Sequence, residues 1–432
     1  MLCDVISDLE HSTLWFQPRQ SGTPRSDTPK GTGAAENGGG AAASSAEAPG
    51  GGHEGGLTPR DIALVRASVV VVEPYAADLA VYFYSILFTR YPQVRDMFPP
   101  GMDVQRGRLL RALLHIVDLV DDPEQLQRFC AHLGRDHRKF GTENAHYDAV
   151  GECLLAALAR FAGPAWTADT ARAWTLAYTT VAQVMMSAAD ADSMVRPASW
   201  AARIVHREEF AYGIAAITVL PDQPYRYAAG QYVSMETPWW PREWRYYSPA
   251  NAPRQDGTLT FHVRAVPGGW VSNALVRRAM LGDQVKLGPP LGDMVLDHSS
   301  NHDILCVAGG TGLAPIRALI EESARHGGGR QMDVFFGART SDELYGMDEM
   351  LRFAQRNHWL RVRAAVSHQD IVGLNGSLPS VLAEFGPWYQ HDAYLSGPAP
   401  MVTAAADVLR RTGVPQARIR HDPLDVPSLS LT

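Results

Sequence analysis

Residues 305–315 read Leu-Cys-Val-Ala-Gly-Gly-Thr-Gly-Leu-Ala-Pro, an apolar run that breaks into a glycine-rich turn before a helical pattern resumes at Ile316–Ala324. Gly309, Gly310 and Gly312 let the backbone approach a ligand without an intervening side chain. The N-terminus of the next helix offers N–H groups and a positive dipole end to phosphate. The stretch therefore predicts a nucleotide pyrophosphate site in a strand-turn-helix context, with a βα turn that binds no ligand as the alternative.

The composition is typical of a soluble globular protein. Of 432 residues, 46% are hydrophobic and 20% are charged, and the formal net charge is -7. This length predicts two to four domains. Because the chain has no bulk basic character, neither nucleic acid nor an anionic membrane surface is expected as a partner. The cysteines lie far apart and form no CxxC pair, which argues against a zinc site, an iron–sulfur cluster or a disulfide framework.

The start of the chain does not read as a targeting or membrane segment. Asp4, Asp8 and Glu10 stand where a signal peptide would need basic residues and then an unbroken apolar stretch. No apolar run approaches membrane-spanning length. A cytoplasmic location and no membrane attachment are therefore expected.

Changes in composition and periodicity divide the chain into four parts. Residues 1–56 are rich in small and polar residues and predict a disordered, low-complexity leader. Residues 57–196 show amphipathic helical segments and predict an all-α domain. Residues 197–299 change to a period of two, which predicts a small antiparallel β-barrel. Residues 300–432 alternate strand-like and helical runs, which predicts a doubly wound α/β domain.

One histidine of the helical part stands out by its neighbours. The helix face of His137 also carries Phe129 and Leu133, so this imidazole is predicted to point towards a buried ligand. His132 shares its face with charged side chains and is expected to face solvent, and the other two histidines lack comparable apolar neighbours. A neutral imidazole is a good axial ligand for haem iron, although a buried histidine of the core is the simpler alternative.

Five segments of the helical part carry a family resemblance: Phe83–Phe88, Arg90–Pro92, Phe98, Asp136–Phe140 and Tyr147–Glu152. They resemble the globin domain of the flavohaemoglobins over roughly residues 57–190. The resemblance implies that His137 is the proximal ligand of a haem b iron, that Tyr84 hydrogen-bonds bound dioxygen, and that Phe98 packs against the porphyrin. It also implies that Tyr147 belongs to a set of hydrogen-bonding side chains that increases electron donation from the axial histidine.

Two positions depart from the family pattern. Where the family has a glutamine on the oxygen side, the aligned position is Arg108 or Leu109, with Gln105 one turn earlier, so this side chain is left open. The family's glutamate beside the proximal tyrosine aligns with residues 187–189, Ser-Ala-Ala. An acceptor is therefore expected to be missing, with weaker activation of oxygen as the consequence.

Residues 245–248, Arg-Tyr-Tyr-Ser, follow a predicted strand and resemble the flavin motif of the ferredoxin-reductase family. The resemblance implies that Arg245 pairs with the pyrophosphate of FAD, that Tyr247 covers the flavin ring, and that Ser248 hydrogen-bonds the flavin edge. The same family has its FAD phosphate loop at the segment that here contains Gly268, Gly269, Val271 and Ser272.

The opening turn, with Gly309, Gly310, Thr311 and Gly312, matches the nicotinamide-nucleotide turn of that family. The segments 336–339 and 396–398 match two later loops, which contribute Arg339, Ser396, Gly397 and Pro398. Arg339 could contact the adenosine ribose or a 2′-phosphate, so NADH and NADPH both remain open. Ser396 stands where the family commonly has cysteine, and residues 420–424 lack the aromatic that usually stacks near the flavin, although Asp422 could keep an acidic role.

The resemblance implies a three-domain enzyme in which NADH or NADPH reduces FAD, FAD passes electrons to haem b, and nitric oxide is oxidised with O2 to nitrate, a detoxifying reaction. Alternatives are a reductase with another acceptor, such as a peroxide or quinone, a gas-sensing globin whose reductase resets its iron, and a flavin-only reductase. The expected partners are small molecules, namely O2, nitric oxide and NAD(P)H. The oligomeric state is left open, with a monomer as the working expectation.

Overall fold

A computed structural model describes residues 56–210, 213–368 and 374–422, apart from the side chain of Val104. The predicted leader lies outside these residues except for Gly56, and the end of the chain beyond Asp422 lies outside them as well. Among the described residues, no helix is both long enough and apolar enough to cross a membrane.

The first part of the chain is helical, as its periodicity predicts. Its helices are α1 (Pro59–Val72), α2 (Ala76–Arg90), α3 (Asp103–Asp118), α4 (Pro123–His137), α5 (Asn144–Ala162) and α6 (Ala168–Ser193). Thr58 caps α1 reciprocally with Asp61, and Pro59 occupies the first turn, where no N–H partner is needed. Pro123 occupies the first turn of α4, and the Thr167 side chain caps the start of α6.

Close packing of α4 on α6 sets the position of the histidine helix. A Cβ added at Gly134 would lie 2.1 Å from the backbone oxygen of Met185, so only glycine allows this approach. Cys130, Leu133 and Met185 form a small buried cluster between the two helices. Because α4 cannot shift along α6 without a clash, its C-terminal residue His137 is held at a fixed place.

The second part is a six-stranded antiparallel sheet in the order β4-β3-β6-β1-β2-β5. Its strands are β1 (Trp200–Phe210), β2 (Ile214–Pro221), β3 (Tyr232–Thr237), β4 (Trp240–Tyr247), β5 (Leu259–Arg264) and β6 (Gln284–Leu291). A single bridge between Pro249 and Phe261 brings the two edge strands together and closes the sheet on itself. Helix α7 (Trp270–Arg277) packs Val271 and Leu275 into the barrel core. This is the predicted antiparallel barrel.

The third part is a parallel sheet in the order β10-β9-β8-β7-β11-β12. Its strands are β7 (Asp303–Gly309), β8 (Met332–Ala338), β9 (Leu360–Val366), β10 (Leu374–Asn375), β11 (His391–Ser396) and β12 (Ile419–His421). Its helices are α8 (Leu313–Arg325), α9 (Met347–Arg356), α10 (Leu378–Phe385) and α11 (Ala399–Arg411). The predicted doubly wound fold is confirmed.

Alternation along β7 explains why helices cover both faces of this sheet. Cys306 and Ala308 belong to the core formed with α8 and α9, whereas Leu305 and Val307 belong to the core formed with α10 and α11. The strand order reverses at β7, with β8 on one side and β11 on the other, so the carboxyl end of β7 is the kind of switch point where such sheets bind ligands. The glycine turn lies at this switch point.

Candidate functional site

The helical part contains an apolar cavity with about 980 Å³ of space between atoms, counting the part that is open to solvent. Side chains from α1 to α6 line it, and most of them are aliphatic or aromatic. Tyr84 and Phe98 belong to one of the hydrophobic clusters around it, and Tyr147 and Met185 belong to another. His137 also lines the cavity and is only 4% exposed.

Two histidines line the cavity, and their hydrogen bonds distinguish them. Nδ1 of His137 lies 2.7 Å from the carbonyl oxygen of Leu133, which can only accept, so Nδ1 carries the proton and the lone pair is on Nε2. Nδ1 of His146 instead accepts the backbone N–H of Glu143 at 2.9 Å and so caps α5. In its neutral form, His146 must therefore carry its proton on Nε2. Only His137 has the tautomer that suits an axial ligand bound through Nε2.

The remaining histidines correct the sequence interpretation. His132 is half-buried rather than solvated, and burial lowers its pKa. His115 has an aromatic neighbour after all, because the ring of Phe129 meets it edge-on with centroids 4.9 Å apart. Phe129 therefore packs against α3 instead of beside His137. Helical periodicity predicts which face of α4 carries Phe129 and which carries His132. It does not show which neighbouring helix each face contacts.

Tyr84 and Phe98 lie side by side in the cavity wall. Their ring centroids are 5.5 Å apart, and the Tyr84 hydroxyl donates to the carbonyl oxygen of Gln105 at 3.5 Å. Leu109 is buried and lines the cavity, whereas Arg108 is not among the lining residues. Of the two side chains left open by the sequence, the structure thus puts the apolar one beside the cavity.

Tyr147 also lines the cavity and is 9% exposed. Burial raises the pKa of its phenol to about 12, and the nearby carboxylate of Asp190 adds to this rise. Tyr147 therefore keeps its proton at neutral pH and can act as a donor. The alignment that placed Ser187–Ala189 at the acidic position did not include Asp190, which lies one residue beyond.

A second large cavity is a cleft between the barrel and the parallel sheet, with about 2270 Å³ of space between atoms, counting the part that is open to solvent. It brings together residues of four predicted motifs, since its lining includes Tyr247, Ser248, Gly309, Gly310, Thr311, Gly312, Arg339, Ser396, Gly397 and Pro398. A Cβ added at Gly312 would lie 2.3 Å from the backbone oxygen of Ser396, so the turn after β7 packs directly on the loop after β11. Only glycine at position 312 allows this close contact between the two segments that line the cleft.

The structure does not bring the rest of the flavin prediction into this cleft. Arg245 forms an ion pair with Glu243 at 2.9 Å and is not among the lining residues. The loop predicted to bind the FAD phosphates lies at the start of α7, and Gly268, Gly269, Val271 and Ser272 are also absent from the lining. Val271 is buried in the barrel core, so its side chain packs the fold.

Charged and titratable groups of the cleft include side chains that the motifs did not reveal. The guanidinium of Arg264 lies beside Gly310 and faces the glycine turn. His262 lines the cleft, hydrogen-bonds Tyr345 at 3.1 Å, and has its pKa lowered to about 3 by burial and then by Arg317. His262 is therefore neutral at physiological pH, while Arg264 places a positive charge beside the glycine turn.

Arg339 is engaged with an acidic neighbour in the cleft. Its guanidinium donates to Glu343 at 2.5 Å, and these hydrogen bonds lower the pKa of the Glu343 carboxyl. Glu343 also lines the cleft. The place predicted for a ribose or a 2′-phosphate thus presents a carboxylate together with the guanidinium.

Lys139, two residues after His137, joins the helical part to the barrel. Its side chain is 0% exposed, and its ammonium donates to Asp136 at 2.8 Å and to Ser234 of β3 at 3.2 Å. The same ammonium lies 5.3 Å from the ring centroid of Trp244 and 5.8 Å from that of Tyr246, both on β4. The end of the histidine helix is thereby fixed to the strand that leads into Tyr247.

This junction also contains a donor that the described residues leave unused. The indole N–H of Trp244 is buried and has no hydrogen-bond partner among the described residues. Buried donors are normally paired, so this N–H fits an acceptor supplied by a bound group. An acidic group at the edge of a cofactor bound between the helical cavity and the barrel would accept a hydrogen bond from this N–H.

Three family profiles match consecutive parts of the chain: Globin over residues 81–185, Oxidoreductase FAD-binding domain over 214–296, and Oxidoreductase NAD-binding domain over 306–407. A flavohemoprotein of Bordetella pertussis is 27% identical over 403 residues, which cover 85% of this chain and 98% of that protein. The Pseudomonas putida xylene/toluene monooxygenase electron transfer component XylA is 34% identical over 231 residues, 52% of this chain and 65% of that protein.

A solved structure supports the same fold. The crystal structure of flavohemoglobin from Malassezia yamatoensis, with bound FAD and heme, matches with a TM-score of 0.71 at 19% identity and covers 85% of this chain and 99% of that chain. The protein is therefore an oxidoreductase made of a globin domain, an FAD-binding domain and an NAD-binding domain. This domain order is similar to that of the flavohemoproteins, and the fold is similar to that of the Malassezia flavohemoglobin. The three domains have haem, FAD and a nicotinamide nucleotide as cofactors, with electron transfer from NAD(P)H through FAD to haem.

Proposed function

We propose that the protein oxidises nitric oxide with O2 to nitrate, using electrons that NADH or NADPH delivers through FAD to haem b. The observation that supports the proposal is the contact between the segment after His137 and the barrel strand that leads to the cleft. His137 lies in an apolar cavity, and Lys139 of the same segment is bound to the strand that leads to Tyr247. When bound, haem b supplies an iron that accepts O2 in its ferrous form, and FAD splits a hydride into single electrons.

In the helical cavity, His137 is the proposed axial ligand. The hydrogen bond from its Nδ1–H to Leu133 orients the imidazole and keeps the lone pair on Nε2. The buried Tyr147 phenol, with Asp190 nearby, lies on the same wall and is the proposed second support of this ligand. The missing glutamate at 187–189 is then replaced by a carboxylate one residue further on.

Tyr84 is the proposed donor on the oxygen side of the cavity. The rings of Phe88 and Phe98 hold its phenol at centroid distances of 5.7 Å and 5.5 Å, which limits the positions of the hydroxyl. The phenol has one proton, so on ligand binding it would exchange its long 3.5 Å contact with Gln105 for a hydrogen bond to O2, whose partial negative charge it would stabilise. Leu109 keeps this side apolar, so Tyr84 supplies polarity in a dry environment.

In the cleft, the glycine turn and the N-terminus of α8 are the proposed site for the nicotinamide-nucleotide pyrophosphate, with Arg264 as counter-charge. Ser396–Pro398 and the facing Tyr247 and Ser248 form the proposed meeting place of nicotinamide and flavin. Because Glu343 holds Arg339, a carboxylate stands where a 2′-phosphate would bind, and an acidic residue there suits a ribose 2′-hydroxyl. We therefore propose NADH as the preferred donor.

The experiment measures nitric oxide consumption by the haem- and FAD-loaded protein with NADH, in the presence and absence of O2. The proposal predicts that consumption requires both NADH and O2 and that each nitric oxide consumed yields one nitrate. Consumption that proceeds without O2, or that yields no nitrate, would contradict it. If a peroxide or a quinone oxidised the reduced protein faster than nitric oxide with O2 does, that compound would be the physiological acceptor.

A further inference from the structure

Three side chains with metal-ligating atoms converge on the surface of the NAD-binding part. His298, Glu322 and His326, here called the His–Glu–His cluster, have ligand atoms that all lie within 4.8 Å of one another. Nε2 of His298 is 3.5 Å from Oε1 of Glu322, and Nδ1 of His326 is 3.7 Å from the same oxygen. None of the three lines the cavity or the cleft described above.

These distances suit a tetrahedral cation. With Zn–N and Zn–O bonds of about 2.0–2.2 Å, two ligand atoms of a tetrahedral zinc site lie roughly 3.4 Å apart. Both distances to the Glu322 oxygen are within a few tenths of an ångström of this value. The two histidine side chains are about half exposed, so small rotations can bring their nitrogens closer together.

The fold holds the backbone positions of all three ligand residues close together before any cation binds. Glu322 and His326 are one helical turn apart at the C-terminal end of α8 and therefore share a face. His298 follows Asp297, whose backbone and carboxylate groups are hydrogen-bonded to the side chains of Arg330, Tyr394 and Arg420. Preorganised ligands reduce the ordering cost of binding.

The two imidazole rings of the cluster lie against each other. The ring centroids of His298 and His326 are 4.2 Å apart with an interplanar angle of 33°. A divalent cation at this place would bind both imidazoles together with the one carboxylate. Nδ1 of His326 now lies 3.0 Å from the backbone oxygen of Glu322, and a cation would replace this contact.

We propose that the His–Glu–His cluster binds one divalent transition-metal cation of the Zn²⁺ class, with water at the open fourth position. Imidazole and carboxylate ligands suit Zn²⁺ better than Mg²⁺ or Ca²⁺, which prefer oxygen ligands only. The cation would link α8 to residues 292–302, the segment that leads from the barrel to the parallel sheet. The site would therefore brace the junction between the FAD-binding and NAD-binding parts.

The first test is a calorimetric titration of the holoprotein with Zn²⁺ after removal of metals by a chelator. The wild type and a control variant of another exposed histidine, His358→Ala, should each bind one Zn²⁺ with the same affinity. The ligand variants His298→Ala and His326→Ala should bind at least tenfold more weakly, since even loss of an outer-shell partner costs about 10–100-fold in affinity. Haem and flavin spectra of all variants should match the wild type, which separates this site from the proposed reaction.

The second test is zinc-edge X-ray absorption on the wild type with one equivalent of Zn²⁺. The proposal predicts two imidazole nitrogens at about 2.0–2.1 Å together with oxygen ligands. Equal Zn²⁺ affinity in the wild type, the control and both ligand variants would overturn the proposal. A wild type that takes up no Zn²⁺, or a spectrum without imidazole, would overturn it as well.

Discussion

Replacing Lys139 with methionine tests the junction between the histidine helix and the flavin strand. Methionine keeps most of the apolar stem but removes the ammonium that neutralises Asp136, whose side chain is 3% exposed. Removal of one partner of a buried ion pair typically costs about 3–5 kcal/mol, because the other charge stays in a low-dielectric environment. We expect the free energy of unfolding of the Lys139→Met protein to fall by this amount.

The assay is urea unfolding followed separately by haem absorbance and by flavin fluorescence, because a multidomain protein need not unfold in one step. The matched control is Arg128→Met, also on α4, which removes a guanidinium that is 66% exposed and pairs at 2.8 Å with Glu124, itself 78% exposed. An exposed pair contributes only about 0–1 kcal/mol, so the control should stay close to the wild type. The Lys139 variant should also pass electrons from flavin to haem more slowly, since its two redox parts are less firmly joined.

A double variant separates the ion pair from other effects of the substitution. Asp136→Asn alone leaves the Lys139 ammonium without its carboxylate, whereas Asp136→Asn with Lys139→Met leaves neither charge buried. Because replacing both members of a buried pair is often neutral, the double variant should be less destabilised than the sum of the single variants. Additive losses, or a Lys139→Met protein within about 1 kcal/mol of the wild type, would refute the reasoning.

Four further outcomes are expected. Gly312→Ala should abolish NADH-dependent flavin reduction while leaving FAD bound, because its Cβ would lie 2.3 Å from the Ser396 oxygen; normal NADH kinetics would contradict this packing. Tyr84→Phe should speed O2 release about 2–12-fold, the loss of one hydrogen bond of roughly 0.5–1.5 kcal/mol, and flash photolysis would show an unchanged rate if the phenol does not face the ligand. Glu343→Gln should improve the use of NADPH relative to NADH by about fivefold, measured as the ratio of kcat/KM values, because it removes one like charge near the 2′-phosphate. Burial raises the pKa of Tyr147 to about 12, so the folded protein holds this proton more tightly than the unfolded chain and loses stability as pH rises above about 10. Tyr147→Phe should remove its part of that loss from alkaline unfolding curves and leave the rest, because burial also raises the pKa of Tyr178 and Tyr227.

The sequence predicts the architecture well because its signals are local. Helix caps such as Thr58, the apolar periodicity of α2 to α6, and the alternation along β7 each depend on residues a few positions apart. The glycine turn after β7 is local as well, and its spacing predicts the cleft where the structure has it. The predicted roles of His137 and Tyr84 come from the family resemblance, because helical periodicity alone does not assign a role to a side chain.

The sequence misses the features that arise from tertiary contacts. Lys139 looks like an ordinary charged residue at a helix end, and only the packing of β3 and β4 buries it. His262 and Arg264 face the cleft because the register of β5 brings them there. The predicted pairing of Arg245 with FAD stays a prediction, and in the structure Arg245 pairs with Glu243, two residues before it on the same strand. No sequence spacing shows that His298 meets α8.

The most direct test of the central claim is rapid anaerobic mixing of the ferric, FAD-loaded protein with NADH, followed by absorbance of flavin and haem. Flavin bleaching should come first, and the haem band should then shift to the ferrous form at the expense of reduced flavin. His137→Ala should show the flavin phase alone, without stably bound haem. Haem reduction that occurs without prior flavin reduction, or full haem binding and reduction in His137→Ala, would contradict the account.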